Sequence, residues 1–443
     1  MSLPQREVVA VNLLLAAAIA LGACARAATG GNSPETGDPC FIGAGTVAPR
    51  DTVTLSFTEQ IDPAGAPVPA NTAERVLFRQ TSETLTRLDC TGQIRPALAR
   101  RWTRDHPSGF VWSFELDTTP ALGKTIVPSH VVVATWEARK NGGMWPWPRI
   151  LSVEAVAPFI LQVRLDSVFT ELPAAFASPD LSIPVGPFRQ ELSARPTAGP
   201  LVELIHLVPS TLPSIVPVIR FQFLHRGVDT RDMLDFPTVN LLRAADLVIT
   251  REPEALSYAR SKPGFRTVPL PWDRTYVLVT PISQSDTASG QNQSAFRQAL
   301  AREAVRAEAR AAEGPFWWET EAKCSGTMPL LPMGRLPQIV YPGDDPMARE
   351  LAERLVALRF PTLRTSGLLP DPLMASLAGG EAVAYVIPLP LLTPASCRRL
   401  PRWPSAAAVV PLVDSRAHVI VRPGVPPFVI DGDAAIRFIP ATP

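Results

Sequence analysis

Apolar and polar positions follow two different periods along this chain. Alternation at every second residue, with β-branched content, predicts strands over 51–57, 110–116, 150–155 and 160–165, and again over 382–387, 407–410 and 418–421. Recurrence at every third or fourth residue predicts helices instead. One runs over 72–85 with Ala73, Val76, Leu77 and Leu85 on its apolar side. A second places Phe296, Leu300, Ala304, Ala307 and Ala311 at helical spacing, with Ser294 as cap and Gly314 after its end. A third has Asp345 at the cap, Pro346 in the first turn, and Met347, Leu351, Leu355 and Leu358 on one face. The proline-studded stretch 201–223 reads as strand and turn. Helices and strands alternate in both halves without an internal repeat, which predicts an α/β architecture with mixed sheets.

The amino terminus changes the compartment. The apolar run from Val8 to Leu21 is about fourteen residues, shorter than the roughly twenty that span a bilayer and suited to a signal h-region, although Arg6 before it is offset by Glu7. Leu21, Gly22, Ala23 and Cys24 resemble a bacterial lipobox, which implies removal of 1–23 and a lipid on Cys24. Residues 24–39, rich in Gly, Ser, Pro and Thr, then form a flexible tether. The expected location is extracytoplasmic, with the lipid anchoring the protein to the cell membrane.

Of 443 residues, 46% are hydrophobic and 19% charged, which fits a folded chain. About 420 residues after processing exceed what one core usually serves, so two or three domains are expected. A net charge of +1 supplies no field for nucleic acid, and scattered lysines form no polybasic membrane patch. Besides Cys24 the chain has Cys40, Cys90, Cys324 and Cys397, an even number in an exported protein. Three connectivities exist. Pairing Cys40 with Cys90 and Cys324 with Cys397 keeps each bridge within one half of the chain. No two of them show zinc-knuckle spacing. His106, His130, His206, His225 and His418 are dispersed without a partner at ligand spacing, so neither a metal nor a cofactor is expected. No Gly-x-Ser-x-Gly elbow, His-Glu-x-x-His or phosphate loop occurs, and an enzyme is not expected. Gly43-Ala44-Gly45 precedes the first strand, the wrong context for a dinucleotide fingerprint.

Several motifs follow one another in a fixed order, beginning with Leu88-Asp89-Cys90-Thr91-Gly92-Gln93-Ile94-Arg95-Pro96-Ala97-Leu98-Ala99-Arg100-Arg101-Trp102 and the strand at Val111 to Leu116. Then come 123–136, 152–165, Pro184-Val185-Gly186-Pro187-Phe188, Ala244-Ala245-Asp246-Leu247, Phe296-Arg297-Gln298-Ala299-Leu300, and the closing strands from Val410 to Phe438. Their order resembles that of the family 5 extracellular solute-binding proteins, which serve ABC transporters for peptides, nickel and oligosaccharides. The resemblance implies a two-lobed, type II periplasmic-binding clamp with an additional domain. Lobe I would comprise 40–63, 178–275 and 405–443, the additional domain 64–177, and lobe II 276–404. Crossing strands near 275–280 and 408–412 would form the hinge. The family's late acidic segment, which in peptide receptors meets the peptide's amino group, is replaced here by Tyr385-Val386-Ile387-Pro388-Leu389-Pro390, without charge.

Candidate contacts follow from the same comparison and from side-chain chemistry. Trp272, Arg274 and Tyr276 offer a stacking surface and a guanidinium for a carboxylate; the alternative is an aromatic packed at a domain edge with Asp273 and Arg274 solvated. Trp317 and Trp318 are neighbours, so on a strand only one can face a cleft. Thr58 and Glu59 follow the first strand, at the edge where open α/β sheets bind ligands, and Tyr385 lies in the uncharged replacement. The expected function is a lipid-anchored, monomeric binding protein delivering a small solute, peptide-like or other, to an ABC transporter permease. A surface binding or sensor protein without transport is the alternative.

Overall fold

The computed structural model describes residues 39–43, 52–57, 59, 61–69, 71–104, 110–119, 126–141, 150–168, 172–186, 188–192, 204–209, 218–223, 238–239, 242–243, 245–281, 309–311, 336–358, 360–390 and 407–438. Cys24, Thr58, Trp317, Trp318, Cys324 and Cys397 lie outside them, as does most of the helix expected from 294.

Three larger sheets organise the described chain. A seven-stranded sheet runs in the order Arg266–Pro269, His418–Val421, Leu247–Thr250, Thr52–Phe57, Val218–Phe223, Leu204–Pro209, Phe188–Leu192. Its centre is parallel, Thr52–Phe57 pairing with both Val218–Phe223 and Leu247–Thr250, while the flanking strands are antiparallel. A central parallel strand must be covered on both faces, and Thr52–Phe57 buries its polar face as well, where the Ser56 hydroxyl accepts from the Gln222 amide at 2.6 Å. Val53, Leu55 and Phe57 pack against Ala73, Val76 and Leu77 of the Thr72–Thr81 helix. The Pro253–Ser261 helix closes the other face through Leu256 and Ala259 against Val248 and Ile420.

A six-stranded sheet follows the order Ala309–Ala311, Ala407–Ser415, Arg274–Pro281, Ala382–Pro390, Leu336–Pro342, Arg364–Leu368. Alternation along Arg274–Pro281 sends Tyr276 and Leu278 towards the Pro346–Leu358 helix, and Val277 and Val279 towards the Pro370–Gly379 helix. Asp345 caps the first of these as its spacing predicts, accepting from the amides of Met347 and Ala348 at 3.0 Å each. The expected helix from 294 does not extend to Ala311: Ala309–Ala311 is a strand paired with Val413–Ser415. Alanine is a good helix former, but sheet pairing overrides local propensity.

A four-stranded antiparallel sheet, Ala99–Arg104, Val111–Leu116, Ile160–Leu165, Ile150–Ala157, packs one face on the Ser129–Asn141 helix around Trp112, Phe114, Trp136 and Phe176. The aromatic cluster is tight, with Trp136 stacked on Phe176 at 5.4 Å and its indole N–H donated to the carbonyl of Leu181.

The motifs that carry the family resemblance have structural causes. Asp89 sits in the loop between the Thr86–Leu88 and Ile94–Pro96 strands, where one carboxylate oxygen accepts from the amides of Thr91 and Gln93 and from the Thr91 hydroxyl. Its other oxygen takes the Arg95 guanidinium at 2.7 Å. Burial opposes ionisation, yet these donors outweigh it and hold the carboxyl at about 2. Cys90, beside it, is bridged to Cys40. Gly186 lies against the end of the Thr72–Thr81 helix, where a Cβ would sit 2.3 Å from the carbonyl oxygen of Gln80.

Candidate functional site

The chain passes between the seven-stranded and six-stranded sheets twice among the described residues, through Leu270–Asp273 and through Arg416–Ala417. The expected crossing strands at 275–280 and 408–412 pair with each other inside the six-stranded sheet, with one register shift between Tyr276 and Val277.

Charged side chains from both sheets converge there. Glu59, beyond the end of Thr52–Phe57, points one oxygen at the amino terminus of the Thr72–Thr81 helix, accepting from the amides of Thr72 at 2.8 Å and Ala73 at 3.2 Å. Its other oxygen takes the Arg274 guanidinium at 2.6 Å. Arg274 opens the central strand of the six-stranded sheet and reaches Asp345 with its second nitrogen, at 3.3 Å. Tyr276 donates to the same carboxylate, 2.8 and 3.0 Å from its two oxygens. One guanidinium therefore joins a carboxylate of the first sheet to the helix cap of the second.

A second set lies beside it. Arg251, just past Leu247–Thr250, donates to Asp273 at 2.6 Å, to the Thr72 hydroxyl at 3.3 Å and to the Ser415 hydroxyl at 3.4 Å. Asp273 and Ser415 are the residues at which the two crossing connections meet the six-stranded sheet, so one arginine grips both. Arg75 adds a contact to Asp273 at 3.5 Å. The side chains of Arg75 and Asp273 are 2% and 3% exposed, and those of Arg251, Arg274, Asp345 and Glu59 no more than 25%. Water screens such pairs weakly.

Electrostatics fix the protonation states. Burial disfavours the Glu59 carboxylate, but Arg274 and Arg251 outweigh it and its pKa falls below the usual value. Asp273 behaves alike, desolvation being overcome by Arg251 and Arg75. Burial and then the Asp345 carboxylate push the Tyr276 hydroxyl up, which keeps it a donor.

Of the expected contacts, Glu59, Arg274 and Tyr276 are thus brought together through Asp345, and Tyr385 is not. Tyr385 is fully buried among Leu373, Leu377 and Ile387, with its hydroxyl donated to the Ser376 carbonyl at 2.7 Å and accepting from the Ala382 amide at 2.9 Å. Its place on the sheet face opposite Tyr276 makes it core. The picture of a solvated Asp273 and Arg274 is also overturned, since both charges are shielded and paired. The Trp272 ring carries the guanidiniums of Arg310 and Arg416, each 4.7 Å from its centroid, so cations occupy the surface expected to stack on a ligand. Sequence reasoning missed Arg75, Arg251 and Asp345 as members. The position of Arg251 after a strand's carboxyl end was the available signal; for Arg75, on a helix, there was none. No group of three or more His, Cys, Asp and Glu among the described residues is placed to hold a metal.

No family model and no curated protein matches the chain. Solved structures do. NikZ from Campylobacter jejuni, in complex with Ni(L-His), superposes with a TM-score of 0.62 at 11% identity, covering 88% of this chain and 98% of its own. The murein tripeptide binding protein MppA of Escherichia coli gives 0.61 at 13%, covering 89% and 99%. The periplasmic binding protein DppA from Helicobacter pylori, in complex with the peptide STSA, gives 0.60 at 12%, covering 87% and 98%. The chain thus has the two-lobed α/β fold of these periplasmic binding proteins, the fold that its resemblance to the family 5 solute-binding proteins implies.

Proposed function

We propose that this chain is a lipid-anchored, extracytoplasmic solute-binding protein that encloses a small solute between two lobes and presents it to an ABC transporter permease. The observation that carries this reading is a pair of sheets, each covered by helices on both faces and joined, among the described residues, by two short connections. Such an arrangement can rotate as two rigid bodies, and a solute touching both shifts the population towards the closed state. Lobe I takes the seven-stranded sheet and the Thr72–Thr81 helix packed on it, the additional domain the rest of 64–177 with the four-stranded sheet, and lobe II the six-stranded sheet. Pairing of Ala407–Ser415 within the six-stranded sheet supports extending lobe II from 404 to Ser415.

Direct contacts are assigned to Thr58, Trp317 and Trp318, as the family resemblance and their place in the sequence suggest, and to the polar junction at Glu59, Arg274 and Tyr276. Binding, not catalysis, is the activity, with Cys24 as the lipid-bearing residue and the protein acting as a monomer. Native mass spectrometry of protein purified from its own host tests the reading. A co-purifying small molecule, or a thermal shift with peptides, nickel–histidine or sugars, is the expected result. A flat response to all of them, with nothing bound, removes it.

The alternative, a surface binding or sensor protein without transport, is favoured by one feature: Ala382–Pro390 contains no acidic residue and buries its tyrosine. Genes for paired permeases and ATPases beside this one would decide for transport; signalling genes there would decide for a sensor.

A further inference from the structure

Within the solute-binding reading, we infer that Glu59, Arg274 and Asp345 form a tie between the two lobes that sets their resting angle before any solute arrives. Glu59 is held in the first lobe by its bonds to the amides of Thr72 and Ala73, and Asp345 in the second by its bonds to those of Met347 and Ala348. Neither carboxylate can follow the other lobe without abandoning its helix. Arg274 spans the gap at 2.6 and 3.3 Å, and the Tyr276 hydroxyl fixes the Asp345 end at 2.8 Å. Rotation about Leu270–Asp273 must lengthen one of the two arms. The cost of stretching it is large because a shielded charge left without its partner is strongly unfavourable. The guanidinium offered to a solute carboxylate by sequence is thus already engaged, and a solute competes with the tie or uses other contacts.

Pulsed electron spin resonance on the full chain without solute tests this, with spin labels on non-natural amino acids at exposed Ser257 and Ala357, one on the outer helix of each lobe. Both Glu59→Gln and Asp345→Asn keep an oxygen for the helix amides while removing the charge, so folding is preserved; near-ultraviolet circular dichroism verifies it. Either substitution is expected to raise the ratio of open to closed molecules by about tenfold or more. Glu353→Gln, in an exposed pair with Arg349, is expected to change nothing. If folded Glu59→Gln and Asp345→Asn proteins both keep the wild-type distance distribution, the tie is overturned. Because no solute is present, that outcome leaves the binding reading standing, and a wild-type protein that binds no solute leaves the tie standing.

Discussion

At the scale of single residues, what reads as chemistry in the sequence divides into charge networks and packing. Tyr385 is packing. Replacing it with Phe leaves the buried Ala382 amide without its acceptor and takes one donor from the Ser376 carbonyl, which keeps the Glu381 amide, and we expect a loss of about 1–3 kcal/mol in urea unfolding. Solute affinity should be untouched; an affinity loss without a stability loss would return Tyr385 to the binding site. Gly186 is the sharper case. An added Cβ would lie 2.3, 2.4 and 2.7 Å from backbone atoms of Gln80, Thr81 and Ser82, which cannot rotate away. Gly186→Ala should therefore cost about 2–3 kcal/mol or more. Gly92→Ala, where φ is +81° but nothing lies within 4 Å, should cost only about 1 kcal/mol. Equal losses would show that conformation and not contact makes Gly186 necessary. The sequence pattern quoted these glycines, yet only coordinates reveal that one faces a helix end and the other faces open space.

Elements were legible where one period ran uninterrupted between clear boundaries. The Thr72–Thr81 helix appears where Ala73, Val76 and Leu77 placed it, but it stops four residues before Leu85. Ser82 takes an extended conformation there, and Glu83 pairs with Ile183. The Pro346–Leu358 helix starts at its predicted cap. Ala309–Ala311 was misread because three residues of helical composition complete a sheet edge that no local pattern announces. Arg274–Pro281 and Ala407–Ser415, expected as crossing strands, pair with each other in one sheet, and the short segments that pass between sheets come just before the one and just after the other. The Cys40–Cys90 bridge, one of three connectivities open from sequence, joins the Phe41–Ile42 strand to the loop held by Asp89 and closes a loop of 50 residues. Serine at both positions should lower stability by about 4 kcal/mol, from the loop-closure entropy returned to the unfolded chain. A loss under about 1 kcal/mol would mean that the Phe41–Ile42 pairing with Phe428–Ile430 suffices to hold the segment.

For the molecule as a whole, the junction between lobes makes stability depend on pH through a group with no part in the tie. His418 opens the strand that follows the second crossing, 3% exposed, paired with Thr250 on one side and Pro269 on the other. Burial first, and then the charges of Arg416, Arg260 and Arg251, push its pKa down to about 4 from the ordinary 6.5. In the folded protein it stays neutral well below the pH at which the unfolded chain takes up its proton. The unfolded state therefore binds more protons between those values, and stability falls as pH falls, by up to about 1.4 kcal/mol per unit and on the order of 3 kcal/mol by pH 4. Glu59 and Asp273, whose pKa values are lowered, add losses of the same sign only below their unfolded values of about 4, while burial raises the Asp431 pKa and acts with the opposite sign in wild type and His418→Gln alike, so the difference between the two proteins isolates the histidine. Unfolding free energies measured from pH 6.5 to 5 should decline more steeply in the wild type than in His418→Gln. Parallel slopes in the two proteins would show that His418 is protonated in the fold, and that the three arginines around it leave its charge unopposed by less than their positions require.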